Sequence, residues 1–124
     1  MMANIGSTRW VVAEGYIPGG GKDDRALESH ETYCVLNAGS RDAALEITLF
    51  FADQPPVGPY RATVPAARTL HLRTNDLDDP RPVPRDTDYA AVLWSDSPVV
   101  VQHTRLDSRS ERVALMTTMA HALP

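Results

Sequence analysis

The sequence predicts an all-β protein, an antiparallel β-sandwich of jelly-roll-like character built from about eight short strands. Three observations lead there. Apolar stretches are short and alternate with period two, as half-buried strands do. Turn residues separate them at close intervals, with ten prolines and seven glycines in 124 residues, which argues against a helical bundle. The spacing of strand and turn signals is that of sandwiches and jelly rolls. The length fits one domain over residues 1–124 with room for a core, and no repeat or linker divides the chain.

The first strand is RWVVA, 9–13. GYIPGGGKDDR follows as a loop, since three consecutive glycines and a charge cluster cannot sustain a ladder. TYCVLNA (32–38) is the second strand, closed by GSRD. ALEITLFFA (44–52) has the clearest alternation, with Leu45, Ile47, Leu49 and Phe51 on one face and Glu46 and Thr48 on the other. DQPPVGPY is a proline-glycine connection to YRATVP (60–65), and Pro65 and Ala66 turn the chain into ARTLHLRT (67–74). NDLDDPRPVPRDT (75–87) is a proline-rich loop. DYAAVLWS (88–95) is apolar on both faces, so it is a central strand or part of a subunit contact. DSP reads as a tight turn into VVVQHTRLD (99–107). The end, RVALMTTMAHA, reads as a strand after a polar loop, although Ser108 and Glu111 have the spacing of a helix capping box.

The formal net charge of −4 gives no broad attraction to nucleic acid or anionic membrane. All but one of the twelve basic residues are arginine, the exception being Lys22. Arginine suits bidentate contacts and interfaces, and a genomic base bias produces the same pattern. Cys34 stands alone in an apolar strand and reads as a small core residue. A lone reduced cysteine and a start without an apolar leader core fit the cytoplasm. The longest apolar run, YAAVLW, is far shorter than the roughly 20 residues a membrane helix needs.

The segment VVVQHTRLDSR (99–109) carries the main chemical signal. Continued as a strand, it puts His103, Arg105, Asp107 and Arg109 on the face that also holds Val99 and Val101. His30 and Glu31 in SHET, Glu14 at the end of an apolar strand, and Asn75 after a strand are further polar candidates. In ARTLHLRT, Leu70 and Leu72 face the core, leaving His71 and Arg73 on an outer face that is either solvated or covered by another subunit. Trp10 and Tyr16 offer stacking faces, though most tryptophans are packing residues. The four histidines lack the paired spacing of a metal site. No nucleophile elbow, phosphate loop or Cys/His dyad is apparent, so an enzyme is the less favoured class; no cofactor and no metal is expected.

AEGYIP, SHET, LNAG, EIT, PVGPYR, TVPA, NDL, PRDTDYA and VVVQHTRLDSR together resemble the family of the Anabaena sensory rhodopsin transducer. The matches keep the same order from about Trp10 to the C-terminal region, and the chain departs in GGGKDDR and at its last residues. The resemblance implies a soluble cytoplasmic β-sandwich, a homotetramer, and a signalling role downstream of a membrane rhodopsin photoreceptor. It also implies small-molecule binding, of sugars in particular. DNA contact within the family finds no support in the negative charge. Trp10, Glu14, His30, Glu31, His71, Asn75, His103 and Arg105 are the expected ligand-binding set, with Arg73, Asp107 and Arg109 at a subunit interface. The competing class is a small sugar-processing or metal-dependent enzyme on a jelly-roll scaffold.

Overall fold

A computed structural model describes residues 4–124. The first three residues, part of the start in which no leader is expected, lie outside them. The described chain forms eight strands and one short 3-10 turn, and no α-helix. The strands are β1 (Ser7–Gly15), β2 (His30–Asn37), β3 (Ala43–Phe51), β4 (Val57–Val64), β5 (Arg68–Arg73), β6 (Tyr89–Asp107), β7 (Ala114–Met119) and β8 (His121–Ala122). The turn, Thr74–Asp76, follows β5. Every strand pairing is antiparallel, so the all-β antiparallel expectation holds. The C-terminal segment is extended, as its threonines and Val113 suggest, and is not a capped helix.

One expected boundary is wrong. DSP does not turn the chain back; β6 continues through it as a single 19-residue strand. The reason lies in its pairing. Tyr89–Ser95 run between β3 and β1, whereas Val100–Leu106 run beside β2, with β7 pairing from Gln102 to Asp107. Asp96, Ser97 and Pro98 lie where the strand passes from one set of neighbours to the other, the kind of position at which a missing proline N–H breaks no ladder. Side chains do the bonding there: Asp96 accepts from the Ala44 N–H at 2.8 Å, and the Ser95 hydroxyl donates to the Ser97 carbonyl at 2.6 Å. The strand therefore belongs to two ladders, β4-β3-β6-β1-β8 and β5-β2-β6-β7, an arrangement consistent with a sandwich.

The inward faces of both ladders meet in one apolar cluster. Trp10 and Val12 of β1, Tyr33 and Val35 of β2, Leu45, Ile47 and Leu49 of β3, Tyr60 of β4, and Ala91, Leu93, Val99 and Val101 of β6 are all buried. Leu77 and Val83 pin the proline-rich loop to the same cluster. β4 starts at Val57, three residues before the sequence suggests, because a bulge opposite Ile47–Leu49 absorbs Gly58 and Pro59. Gly58 has φ +154°, and a Cβ there would sit 2.8 Å from the Ile47 carbonyl oxygen, so the close approach requires glycine.

Candidate functional site

Glu31 is fully buried, and its carboxylate is the centre of a polar cluster inside this apolar frame. The β2–β6 register explains the cluster: Glu31 stands opposite Arg105 and Tyr33 opposite His103. Residues two apart on a strand share a face, so all four side chains point the same way. Glu31 Oε2 accepts from the Arg105 Nε–H at 2.8 Å and lies 2.9 Å from His103 Nε2. Its Oε1 accepts from the Tyr16 backbone N–H at 3.0 Å and from the Tyr89 hydroxyl. The Tyr89 oxygen is also 3.2 Å from the Thr74 hydroxyl. Burial pushes the Glu31 carboxyl upward, but hydrogen bonds from His103, Tyr89 and Arg105 outweigh it and hold the carboxyl below the ordinary glutamate value. Glu31 is thus an anion within the fold.

Arg105 bridges this centre to the surface. Its side chain is 15% exposed, and its second nitrogen donates to Glu14 Oε2 at 2.5 Å. The guanidinium lies 5.9 Å from the Tyr16 ring centroid, and that of Arg109 lies 5.8 Å from it. Asp86 fastens Tyr16 from outside, accepting from its hydroxyl at 3.1 Å and from the Gly19 N–H at 2.8 Å. Asn75 braces the backbone, accepting from the Glu31 N–H at 3.2 Å and donating to the Ser29 carbonyl at 3.0 Å.

Next to the cluster opens a groove of about 610 Å³ between β1 and β7. Val11 and Ala13 line one side and Met116 and Thr118 the other, and Glu14, His103 and Arg105 also belong to the lining. The groove thus combines apolar walls with a few fixed donors and acceptors, the usual composition of a small-molecule site.

The residues singled out in the sequence fall into three groups. Glu14, Glu31, Asn75, His103 and Arg105 converge on this place. Trp10 and His30 are buried elsewhere: Trp10 packs in the core with its indole N–H donating to the Ser7 and Val99 carbonyls, each at 3.0 Å, and His30 Nδ1 sits 2.6 Å from the Glu28 carbonyl. The Trp10 ring therefore offers no open stacking face. His71 is exposed on β5 opposite Cys34, apart from the groove. Arg73 pairs with Glu28 at 3.0 Å. Asp107 and Arg109 pair with each other at 2.8 Å where β6 exits into its loop, and Arg109 holds the Asp107 carboxyl low. Tyr89 escaped the sequence reading, because a tyrosine opening an apolar strand looks like core. Met116 and Thr118 escaped it because the C-terminal strand has no polar alternation to mark a wall.

Among the described residues no cluster of three or more histidine, cysteine, aspartate or glutamate side chains is arranged to hold a metal ion, and no helix is long and apolar enough to cross a membrane.

A family model described as Anabaena sensory rhodopsin transducer matches residues 5–122. Two solved structures are similar over most of the chain. The Anabaena sensory rhodopsin transducer is 53% identical, with a TM-score of 0.72, over 83% of this chain and 99% of that one. The crystal structure of Thermotoga maritima 1070 is 34% identical, with a TM-score of 0.86, over 95% of this chain and 96% of that one. No curated protein matches the chain.

Proposed function

Because the chain belongs to the Anabaena sensory rhodopsin transducer family, we propose that it is a soluble cytoplasmic signalling module whose groove takes a small polyhydroxylated molecule such as a sugar. In this reading it works as a homotetramer, and a membrane rhodopsin is the candidate upstream partner. The observation that carries the ligand reading is the buried Glu31 carboxylate tied through Arg105 to the groove. Glu14 and Arg105 supply an acceptor and a planar donor at the mouth, which suit vicinal hydroxyls, and Val11 and Met116 supply apolar walls for the ring. A ligand engaging Arg105 also touches the bonds that hold Tyr16 and its loop, which gives binding a route to the surface.

The test is thermal unfolding with a panel of monosaccharides and polyols. A ligand that binds only the native state at about 100 times its Kd adds about 2.7 kcal/mol. The wild-type melting temperature rises with at least one compound, and Thr118→Trp, which fills the groove without touching Glu31, abolishes that rise. A panel that leaves the wild type unmoved sinks the sugar reading.

A further inference from the structure

We propose that the groove between β1 and β7 selects a molecule that carries a protonated amine beside its hydroxyls, an amino sugar in chemical class, and rejects the matching sugar acid. The inference rests on the reading of this groove as a small-molecule site and adds the charge of the molecule it takes.

Charge is the first argument. With its two histidines neutral, the ionised side chains lining the groove are Glu14 and Arg105. Glu31 belongs to the same balance, because Arg105 donates from Nε to Glu31 Oε2 at 2.8 Å and from Nη2 to Glu14 Oε2. One guanidinium thus faces two carboxylates, and one negative charge is left over. Arg109, whose guanidinium lies near the same Tyr16 ring as that of Arg105, is paired with Asp107 at 2.8 Å and does not offset it. Asp86, which accepts from the Tyr16 hydroxyl, adds a further negative charge on that side. An arginine in a groove invites an anion, but this one is already neutralised. A carboxylate that reached Arg105 would have to displace Glu14 or lie beside it, like charge against like.

Hydrogen-bonding capacity is the second argument, and it points the same way. The Glu14 side chain is 65% exposed and uses Oε2 on Arg105, and its Oε1 has no hydrogen-bond partner among the described residues. His103 Nε2 lies 2.9 Å from Glu31 Oε2. An ionised carboxylate can only accept, so the neutral imidazole carries its proton on Nε2 and keeps Nδ1 as an acceptor. Against these acceptors stands one uncommitted charged donor, Arg105 Nη1. A surplus of acceptors with a surplus negative charge calls for donors that bring positive charge. An ammonium group supplies three N–H donors and one charge, and a neighbouring hydroxyl oxygen can accept from Nη1. The apolar walls of Val11, Met116 and Met119 leave the rest of the ring without polar demands.

Matched sugars test the charge apart from the shape. Glucose, galactose and mannose are each titrated calorimetrically at pH 7 and low salt as the parent, the 2-amino sugar and the uronic acid. Because Glu14 is largely exposed, the amino form is expected to bind only about two- to fivefold more tightly than its parent, and the acid more weakly than the parent. The margin shrinks in high salt. Glu14→Gln, with circular dichroism confirming the fold, brings parent and amino form to the same Kd, and Thr118→Trp removes the binding of both. A parent that binds while its amino form binds no better, an acid that binds as well as the amino form, or a preference that survives Glu14→Gln overturns the inference and leaves the sugar reading standing. A set in which no member binds, or binding that survives Thr118→Trp, overturns both.

Discussion

Replacing Glu31 by glutamine keeps the shape of the side chain and removes its charge. The consequence can be worked through atom by atom. Each carboxylate oxygen faces one donor that cannot reverse its role: Oε1 faces the Tyr16 backbone N–H, and Oε2 faces the Arg105 Nε–H. The Tyr89 hydroxyl can rotate and His103 can change tautomer, but an amide NH2 confronts one of the two obligatory donors in either orientation. A hydrogen bond to a charged group contributes about 1.5–3 kcal/mol, and breaking a buried ion pair by removing one partner costs about 3–5 kcal/mol. Arg105 retains Glu14 and some solvent, which puts Glu31→Gln near the low end, about 3 kcal/mol. For a chain of this size that lowers the melting temperature by roughly 10 °C. Acid provides a second readout. Because the folded carboxyl titrates below the unfolded one, its stabilisation is fully present above the unfolded value of about 4.3 and is lost as pH falls through the folded value. Asp76, Asp86 and Asp107 are also held low, but they are common to both proteins. The stability gap between wild type and Glu31→Gln should therefore be constant from pH 7 to about 5 and narrow in stronger acid. A loss below about 1 kcal/mol, or a gap that persists unchanged to about pH 3, would refute the reasoning.

Two further substitutions separate buried polar groups that have partners from one that does not. The Tyr33 hydroxyl is buried without a hydrogen-bond partner, so Tyr33→Phe leaves the midpoint in urea unchanged or raises it, and a loss of more than about 1 kcal/mol contradicts the geometry. Asn37 is fully buried, donates to the Arg41 and Val64 carbonyls at 2.8 and 3.0 Å, and accepts from the Gly39 N–H at 3.0 Å. Asn37→Ala orphans these backbone groups and costs about 2–3 kcal/mol in denaturant unfolding; a neutral result shows that the turn closes without it.

Strands were legible wherever one face is apolar and the other polar, as in Ala43–Phe51, where Leu45, Ile47 and Leu49 are buried and Glu46 is not. The same rule placed His103 and Arg105 beside Val99 and Val101, and the structure keeps them on that face. Local chemistry favours a turn at Asp96–Pro98, and only two successive sets of neighbours carry the strand through it. Glu31 is a candidate from the sequence alone, but its partners are not legible there. Its register with Arg105 joins positions 74 residues apart, and nothing local encodes such a pairing. Trp10 shows the converse limit, since an indole reads alike in sequence whether it stacks on a ligand or fills a core.

Stability alone does not account for Glu31. A buried ion pair weighs its Coulomb attraction against a desolvation penalty of several kcal/mol per ion, and well-packed apolar residues of similar volume often serve as well or better. The surrounding frame could hold such a side chain, since Tyr33, Val35, Val99 and Val101 lie on the same strand faces. What an apolar residue cannot do is orient a guanidinium. Arg105 has Glu31 on one nitrogen and Glu14 on another, and its plane rests near Tyr16. That leaves a long, otherwise mobile cation fixed at the edge of the groove with its rotamer entropy already lost. A site prepared in this way loses less on binding than one that must order its own side chain. The desolvation cost of Glu31 is then met in folding rather than in recognition, and the arrangement makes physical sense as the foundation of a binding groove.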